Sequence, residues 1–286
     1  MLTNRFILSA CDAGTSDAIT RGVVEGYPYG VLKCVNFVPN GEVFDSAIDT
    51  ILPQCPDIDC GVQLNITRGK SICSDVLSLT DEECKFKNSF LMTAIKVYNP
   101  KDEKILPEIE REFRRQIEKV MAKAKVTHIS STDNIIVIPR IFDLVCKLAK
   151  EYGIKYIRSS YEKLYIVPDI FRHLNLLYFM NIAKTLMFNL AALFNDPLLY
   201  KYEIKTNDYM LGGIYEGMCD VLAVSYGISA LKYNNITVEC SIRPCRYNEG
   251  IIDNYFDEFL VTKNKKLKNK IEEIGFEITN YAEKEA

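Results

Sequence analysis

The sequence is poor in the residues that usually advertise a metal or redox centre. It holds two histidines, His128 and His173, and its ten cysteines include no Cys-x-x-Cys pair. Cysteines scattered as Cys34, Cys84, Cys146 and Cys219 exclude a zinc-finger spacing and read as mostly buried free thiols in a reducing compartment. No apolar run approaches the roughly 18 to 20 residues that cross a bilayer, and the N-terminal MLTNRFILSACDAG lacks the apolar region of a signal peptide. The expectation is therefore a cytoplasmic protein with no membrane partner. Basic residues gather only in VTKNKKLKNK at 261–270, which reads as a solvated helix face. With a net charge of −3 and a pI near 5.6, no nucleic-acid partner is expected.

What is present suits a sizeable core, since 48% of the 286 residues are hydrophobic and 26% charged. RFILSACD reads as a strand ending in an acid, and SDAITRGVVEGYPYG follows as a helix with an N-cap serine and a closing glycine. The alternation continues through GVLKCVNFVP and NGEVFDSAIDTILPQCP, then IDCGVQLNIT. Next come the charged helix ILPEIEREFRRQIEKVMAKA, the strand VTHISS, the helix IPRIFDLVCKLAKEYG and the strand IKYIRSSYE. Strands separated by helices of about 10 to 15 residues imply parallel βαβ units. The predicted fold is α/β and (βα) barrel-like, a distorted TIM-type barrel of parallel strands. It forms a single domain over 1–286, with insertions at about 71–104 and 164–205. The first insertion is polar and irregular. The second is apolar, aromatic and helical, which reads as packing and makes a homodimer a reasonable expectation. His173 within it reads as structural.

Ligands of parallel α/β folds bind at the carboxyl ends of strands. Those ends carry ACDAGTS at 10–16, GVQLNIT at 61–67, THISSTDN at 127–134 and VECSIRPCRY at 238–247. Asp12 follows the first strand directly, and Gln63 and Asn65 alternate along the third. Cys11 and His128 suggest a thiolate–imidazole pair. Against it, Cys11 and Asp12 point to opposite sides of a regular strand, and His128 begins its strand rather than ending it.

Over nearly its whole length the chain resembles the YdjC/ChbG-type carbohydrate deacetylases. DAGTSDAITRGVVEGYPYGVL looks like the family's DDFG-S-x-x-x-N-x-G-I opening, and GVQLNITRGKSI like its G-x-HLNLT-x-G-x-P. KVTHISSTDNIIVIPRIFDLVCKLAKEYGI looks like its TH-x-DSH-x-H-x-HP-x-V loop and the helix after it, and TNDYMLGGIYEGM and VECSIRPCRYNEG match later landmarks. The resemblance implies a barrel-like fold, a divalent metal that activates water, and hydrolysis of an acetamide on an amino sugar. It does not carry over residue by residue. The position of the family's base is Cys11, that of one ligand is Asp12, and those of the ligand histidines are Gln63 and Thr132. A further histidine position holds Asn134, the loop aspartate is Ser130, and the histidine of HPG is Arg243. His128 matches the family's TH pair, which lies outside its ligand set.

Neutral oxygens hold a divalent ion weakly without several carboxylates. The expectation is thus no cofactor or a weakly bound divalent metal, magnesium before others, on Asp12 with Gln63 and Thr132. Asp133 is a second candidate carboxylate. Arg243 works against a metal, and pairing with Asp12 is one outcome for it. A small carbohydrate is the expected ligand, with Asn65, Asp133, Asn134 and Arg243 around it. Two readings follow. One is a catalytically silent or altered relative that binds a carbohydrate or a partner. The other is an active deacetylase using Asp12 and an oxygen-rich metal site.

Overall fold

The computed structural model describes residues 4–231, 234–247 and 255–283. Among these residues eight strands are interspersed with nine α-helices in the order β1 (Asn4–Ala13), α1 (Asp17–Gly26), β2 (Leu32–Phe37), α2 (Phe44–Gln54), β3 (Asp59–Leu64), α3 (Phe90–Tyr98), α4 (Ile105–Met121), β4 (Val126–Ser131), α5 (Pro139–Glu151), β5 (Tyr156–Ile157), α6 (Leu176–Tyr202), β6 (Tyr209–Leu211), α7 (Val221–Ser229), β7 (Thr237–Ile242), α8 (Tyr255–Thr262), α9 (Lys265–Glu273) and β8 (Phe276–Ile278). Every ladder is parallel, because each strand is followed by a helical crossover. The sheet runs β5-β4-β3-β2-β1-β7-β6, and β8 pairs with the first residues of β1. Interior positions are filled by Phe6, Leu8, Val35, Val62, Ile129 and Val238, all fully buried, as expected for strands covered on both faces.

The sheet curls into a half-barrel, which narrows the predicted TIM-type barrel to a parallel α/β arrangement without full closure. No ladder joins β5 to β6; a single bridge, Tyr156 to Lys205, lies between them. The reason is local. Past Arg158, whose N–H still reaches Ile129 O of β4, backbone N–H groups go to side chains: Ser159 N donates to Asn207 Oδ1 at 2.8 Å and Glu162 N to Asn189 Oδ1 at 2.9 Å, and a single backbone bond, Met210 N to Tyr161 O at 2.7 Å, joins the segment to β6. The predicted strand over 154–162 accordingly shrinks to two residues.

Three further features differ from the sequence reading. First, β1 is not regular at its end: the register with β2 shifts between Ala10 and Ala13, and Asp12 sits at φ 60°. This bulge breaks the alternation of side chains, so Cys11 and Asp12 face the same cavity. Second, the 71–104 insertion is not wholly irregular, since α3 forms within it behind the N-cap Ser89. It is pinned by buried acids of α4: Glu112 accepts from Ile72 N and Cys73 N, and Glu108 from Ser78 N. Third, α6 is long and apolar enough to cross a membrane by length and composition. That corrects the expectation that no such run exists.

Candidate functional site

At the carboxyl ends of the strands lies a cavity of about 430 Å³, with a second of about 250 Å³ beside it. Asp12, Arg68, Thr132, Arg243 and Tyr255 border both. The bulge in β1 delivers Asp12, the end of β3 delivers Gln63, the turn after β4 delivers Thr132, and the segment after β7 delivers Arg243. Gln63 ties three of these ends together. Its Oε1 accepts from Asp12 N at 2.8 Å, and its Nε2 donates to Asp12 Oδ1 and, at 3.3 Å, to Thr132 Oγ1. The Arg243 guanidinium forms an ion pair with Asp12 Oδ2, with the two side chains 19% and 8% exposed. It also lies over the Tyr255 ring, 4.3 Å from the centroid. Burial alone would lower the Arg243 pKa, but the Asp12 carboxylate reverses this and holds it above its usual value.

These residues do not fit a divalent cation. Asp12 contributes the one ionised oxygen ligand of the predicted set, and a fixed positive charge already occupies it. Asp133, the candidate second carboxylate, is turned to the rim. There Arg68 clasps both of its oxygens and Thr67 Oγ1 donates to Oδ2 at 2.8 Å. Among the described residues, no group of three His, Cys, Asp or Glu could hold a metal ion. The oxygen-rich site on Asp12 and Asp133 is therefore not assembled.

The other candidates divide as follows. Asn134 lines the larger cavity in a left-handed conformation, φ 51°, directly after Asp133 at φ 52°. Two successive non-glycine residues in this region are strained and hold only where neighbours fix them. Asn65 borders the smaller cavity, where its carboxamide accepts from Thr67 N and Arg68 N and closes the turn after β3. His128 is not brought to the site. It is fully buried inside the half-barrel, stacked on Tyr281 with ring centroids 4.4 Å apart, and burial, reinforced by the Arg158 charge, lowers its pKa to about 3. Burial, then the Asp12 carboxylate, push the Cys11 thiol well above its ordinary pKa. A neutral thiol without a histidine in reach is no nucleophile, so the cysteine–histidine pair does not form. His173 packs edge-on against Tyr215 outside both cavities.

Sequence reasoning missed three residues that build the cavity wall. Glu162 accepts from Gly212 N and Ile214 N, each at 3.0 Å, and Glu258 from Gly217 N at 2.9 Å and Arg243 N at 2.6 Å. The two acids thereby clamp the 212–217 loop and the Arg243 backbone. A Cβ on Gly213 would lie 2.5 Å from Glu162 Oε2, which is why the loop carries glycine there. Burial raises both carboxyl groups to about pKa 8. The third residue is Arg158, 6% exposed, at the end of β5. The available signal was an arginine and a glutamate at the end of a predicted strand, in YIRSSYE.

Comparison with known proteins agrees with this architecture. A family model for YdjC-like proteins matches residues 5–269. A carbohydrate deacetylase of Listeria monocytogenes is 31% identical over 157 residues, covering 54% of this chain and 61% of that protein. One of Brevibacillus brevis is 33% identical over 153 residues, covering 52% and 57%. The chain thus aligns with less than two thirds of the length of either relative. Among solved structures, an Enterococcus faecalis protein provisionally described as a cellobiose-phosphate cleavage protein superposes with a TM-score of 0.74 at 18% identity, covering 98% of both chains. An uncharacterized Agrobacterium tumefaciens protein gives 0.53 at 9% identity. These two likenesses concern the fold alone. With the family model matched along nearly its full length, the chain belongs to the YdjC-like family.

Proposed function

We propose that this chain is a catalytically silent member of its family that binds a small carbohydrate in the cavity over the half-barrel. The observation that carries the reading is the Arg243–Asp12 ion pair, which satisfies with a side chain the charge that a metal would otherwise neutralise. Hydrolysis of an acetamide needs an activated water and a group to take its proton. Asp12 is engaged by Arg243 and Gln63, Asp133 by Arg68, and both oxygens of Glu162 and Glu258 by backbone N–H groups. The cavity still has the size and the mixture of apolar and polar lining that sugar sites use. Relatives named carbohydrate deacetylases support the ligand class, and cysteines held as thiols instead of disulfides are consistent with a cytoplasmic setting.

The test is calorimetry with chitobiose and N-acetylglucosamine on metal-free protein, run beside an assay for released acetate. Binding without metal and without acetate is the expected outcome. Stoichiometric bound metal with turnover that disappears in Asp12→Ala would establish the hydrolase instead.

Self-association through the outer face of α6 is part of the same proposal. Between 176 and 195 the only charged side chain is Lys184. Such a face suits a second copy of itself better than a partner selected by charge.

A further inference from the structure

The open side of the half-barrel has no strand ladder to hold it. Backbone crosses it at Ile157 N to Lys205 O, Lys205 N to Lys155 O and Met210 N to Tyr161 O. Towards the cavity, Arg158 Nη1 donates to Ser241 Oγ at 2.9 Å and ties the end of β5 to β7. Beneath that bond lies the carboxyl-terminal segment. After β8 pairs with residues 4–6 of β1, Thr279 N donates to Phe6 O at 3.0 Å and the chain turns inward to bury Tyr281 completely. On one flank, Asp59 of β3 accepts from Tyr281 N at 3.0 Å and Ala282 N at 3.3 Å, while His128 of β4 and Tyr156 of β5 lie against the ring with centroids 4.4 and 5.1 Å away. On the other flank, Glu239 of β7 accepts from the Tyr281 hydroxyl. Glu239 and Ser241 stand two residues apart and so share one face of β7, and the Arg158 guanidinium that bonds to Ser241 also acts on the buried Glu239 carboxyl. The two cross-braces, Arg158–Ser241 and Tyr281–Glu239, thus meet on the same face of β7.

We propose that residues 276–283 form a strap that latches the open side of the half-barrel from within: Tyr281, seated between His128 and Glu239, holds the β3–β5 flank to β7 and so sets the gap that Arg158 spans to reach Ser241. The strap lines neither cavity and acts on the cavity wall from the opposite end of the strands. It is also the part suited to move. A three-residue strand anchored by side chains belongs to the low-stability end of a fold and can lift without breaking the longer ladders. With the strap seated, the wall formed by Arg158, Ser241 and Asn134 is fixed. With it lifted, the flanks part and that wall loosens. The latch does not depend on what the cavity binds, so its failure would leave the carbohydrate reading untouched.

The test is amide hydrogen exchange on the full chain. Tyr281→Phe keeps the ring and deletes the hydroxyl that reaches Glu239. The reporters are Arg158 N, bonded to Ile129 O at 2.9 Å, and Met210 N, bonded to Tyr161 O at 2.7 Å, both at the open side and far in sequence from the substitution. Both are expected to exchange about fivefold or more faster in the variant, the scale of one lost hydrogen bond, while amides of the β1–β2 ladder keep their rates. Tyr281→Ala, which also removes the ring from His128, should speed the reporters further; if it does not fold, the phenylalanine variant decides alone. As a control for general destabilisation, Ile48→Ala removes a buried side chain of α2 away from the strap, and it should speed the reporters no more than the β1–β2 ladder. Unchanged exchange at Arg158 and Met210 in Tyr281→Phe would overturn the latch. So would an acceleration spread equally over the β1–β2 ladder, or one that Ile48→Ala reproduces at the reporters alone.

Discussion

A carboxylate held close to a guanidinium is neutralised in place, and at Asp12 that arrangement decides what the site can hold. Removing Arg243 leaves Asp12 buried and uncompensated apart from Gln63. Arg243→Ala is expected to cost about 3 kcal/mol, the scale for breaking a buried ion pair, read as a shift of the urea midpoint. The same geometry shows how a metal site could be rebuilt, because Gln63 already bonds to both Asp12 and Thr132. The triple variant Gln63→His, Thr132→His, Arg243→Ala supplies one carboxylate and two imidazoles, a set suited to zinc. It should bind one zinc per chain and melt at higher temperature with zinc, whereas the unaltered chain should do neither. One tightly bound metal in the unaltered chain would show that the arginine does not exclude it. At this scale the types of residue at Asp12, Gln63, Thr132 and Arg243 were legible, and the pairing of Arg243 with Asp12 was one of the outcomes open to the sequence, but the other partners were not. Arg68 takes Asp133 out of the site across 65 residues of sequence, and no local pattern records that.

Helix α6 is an amphipathic helix with its faces exchanged. Its buried side chains are Tyr178, Asn181, Thr185 and Asn195, and the asparagines bond to the body: Asn181 Nδ2 to Glu216 O at 3.0 Å and Asn195 Nδ2 to Val137 O at 2.9 Å. Asn189, partly buried, exchanges two bonds with the Glu162 backbone. The outer face carries Phe179, Leu190, Leu193 and Phe194, all more than half exposed. Phe188 touches Phe90 of α3, whose Leu91 and Ile95 extend the apolar surface. A patch of this extent calls for a cover. Light scattering should give twice the 32.7 kDa chain mass, and Leu190→Glu with Phe194→Glu should give the single mass. A monomer in the unaltered chain would refute the pairing. The sequence showed an apolar helix here, expected to pack, but not which side is buried, because hydrophobic spacing assigns the apolar face to the core and here asparagines and a threonine join Tyr178 on the buried side. In α4, expected only as a charged amphipathic helix, Glu108, Glu112 and Gln116 are buried on loop backbone.

The whole molecule stores a pH dependence in its buried ionisable groups. Glu162 and Glu258 are raised from 4.5 to about 8, so between those values the folded chain holds protons that the unfolded chain releases. Their contribution is complete below about pH 4.5 and is lost as pH rises through 8. His128, lowered from 6.5 to about 3, acts in the opposite sense: its contribution is complete above 6.5 and is lost as pH falls towards 3. Melting temperature should therefore decline from pH 5 to 8.5, more steeply above 6.5 where His128 no longer opposes the acids. A flat calorimetric profile over this range would show both carboxyl groups ionised in the folded state. The parallel βαβ order, the four strand ends and the family were determined by the sequence alone, because periodicity and motif spacing are local and survive the loss of individual ligands. The opening between β5 and β6, the bulge that turns Cys11 and Asp12 to one side, the pairing of Arg243 with Asp12 and the bonding of Arg158 to Ser241 and Asn134 were decided by tertiary structure. Each depends on which charges and carboxamides meet across the mouth of the curled sheet, and those meetings join residues tens to hundreds of positions apart.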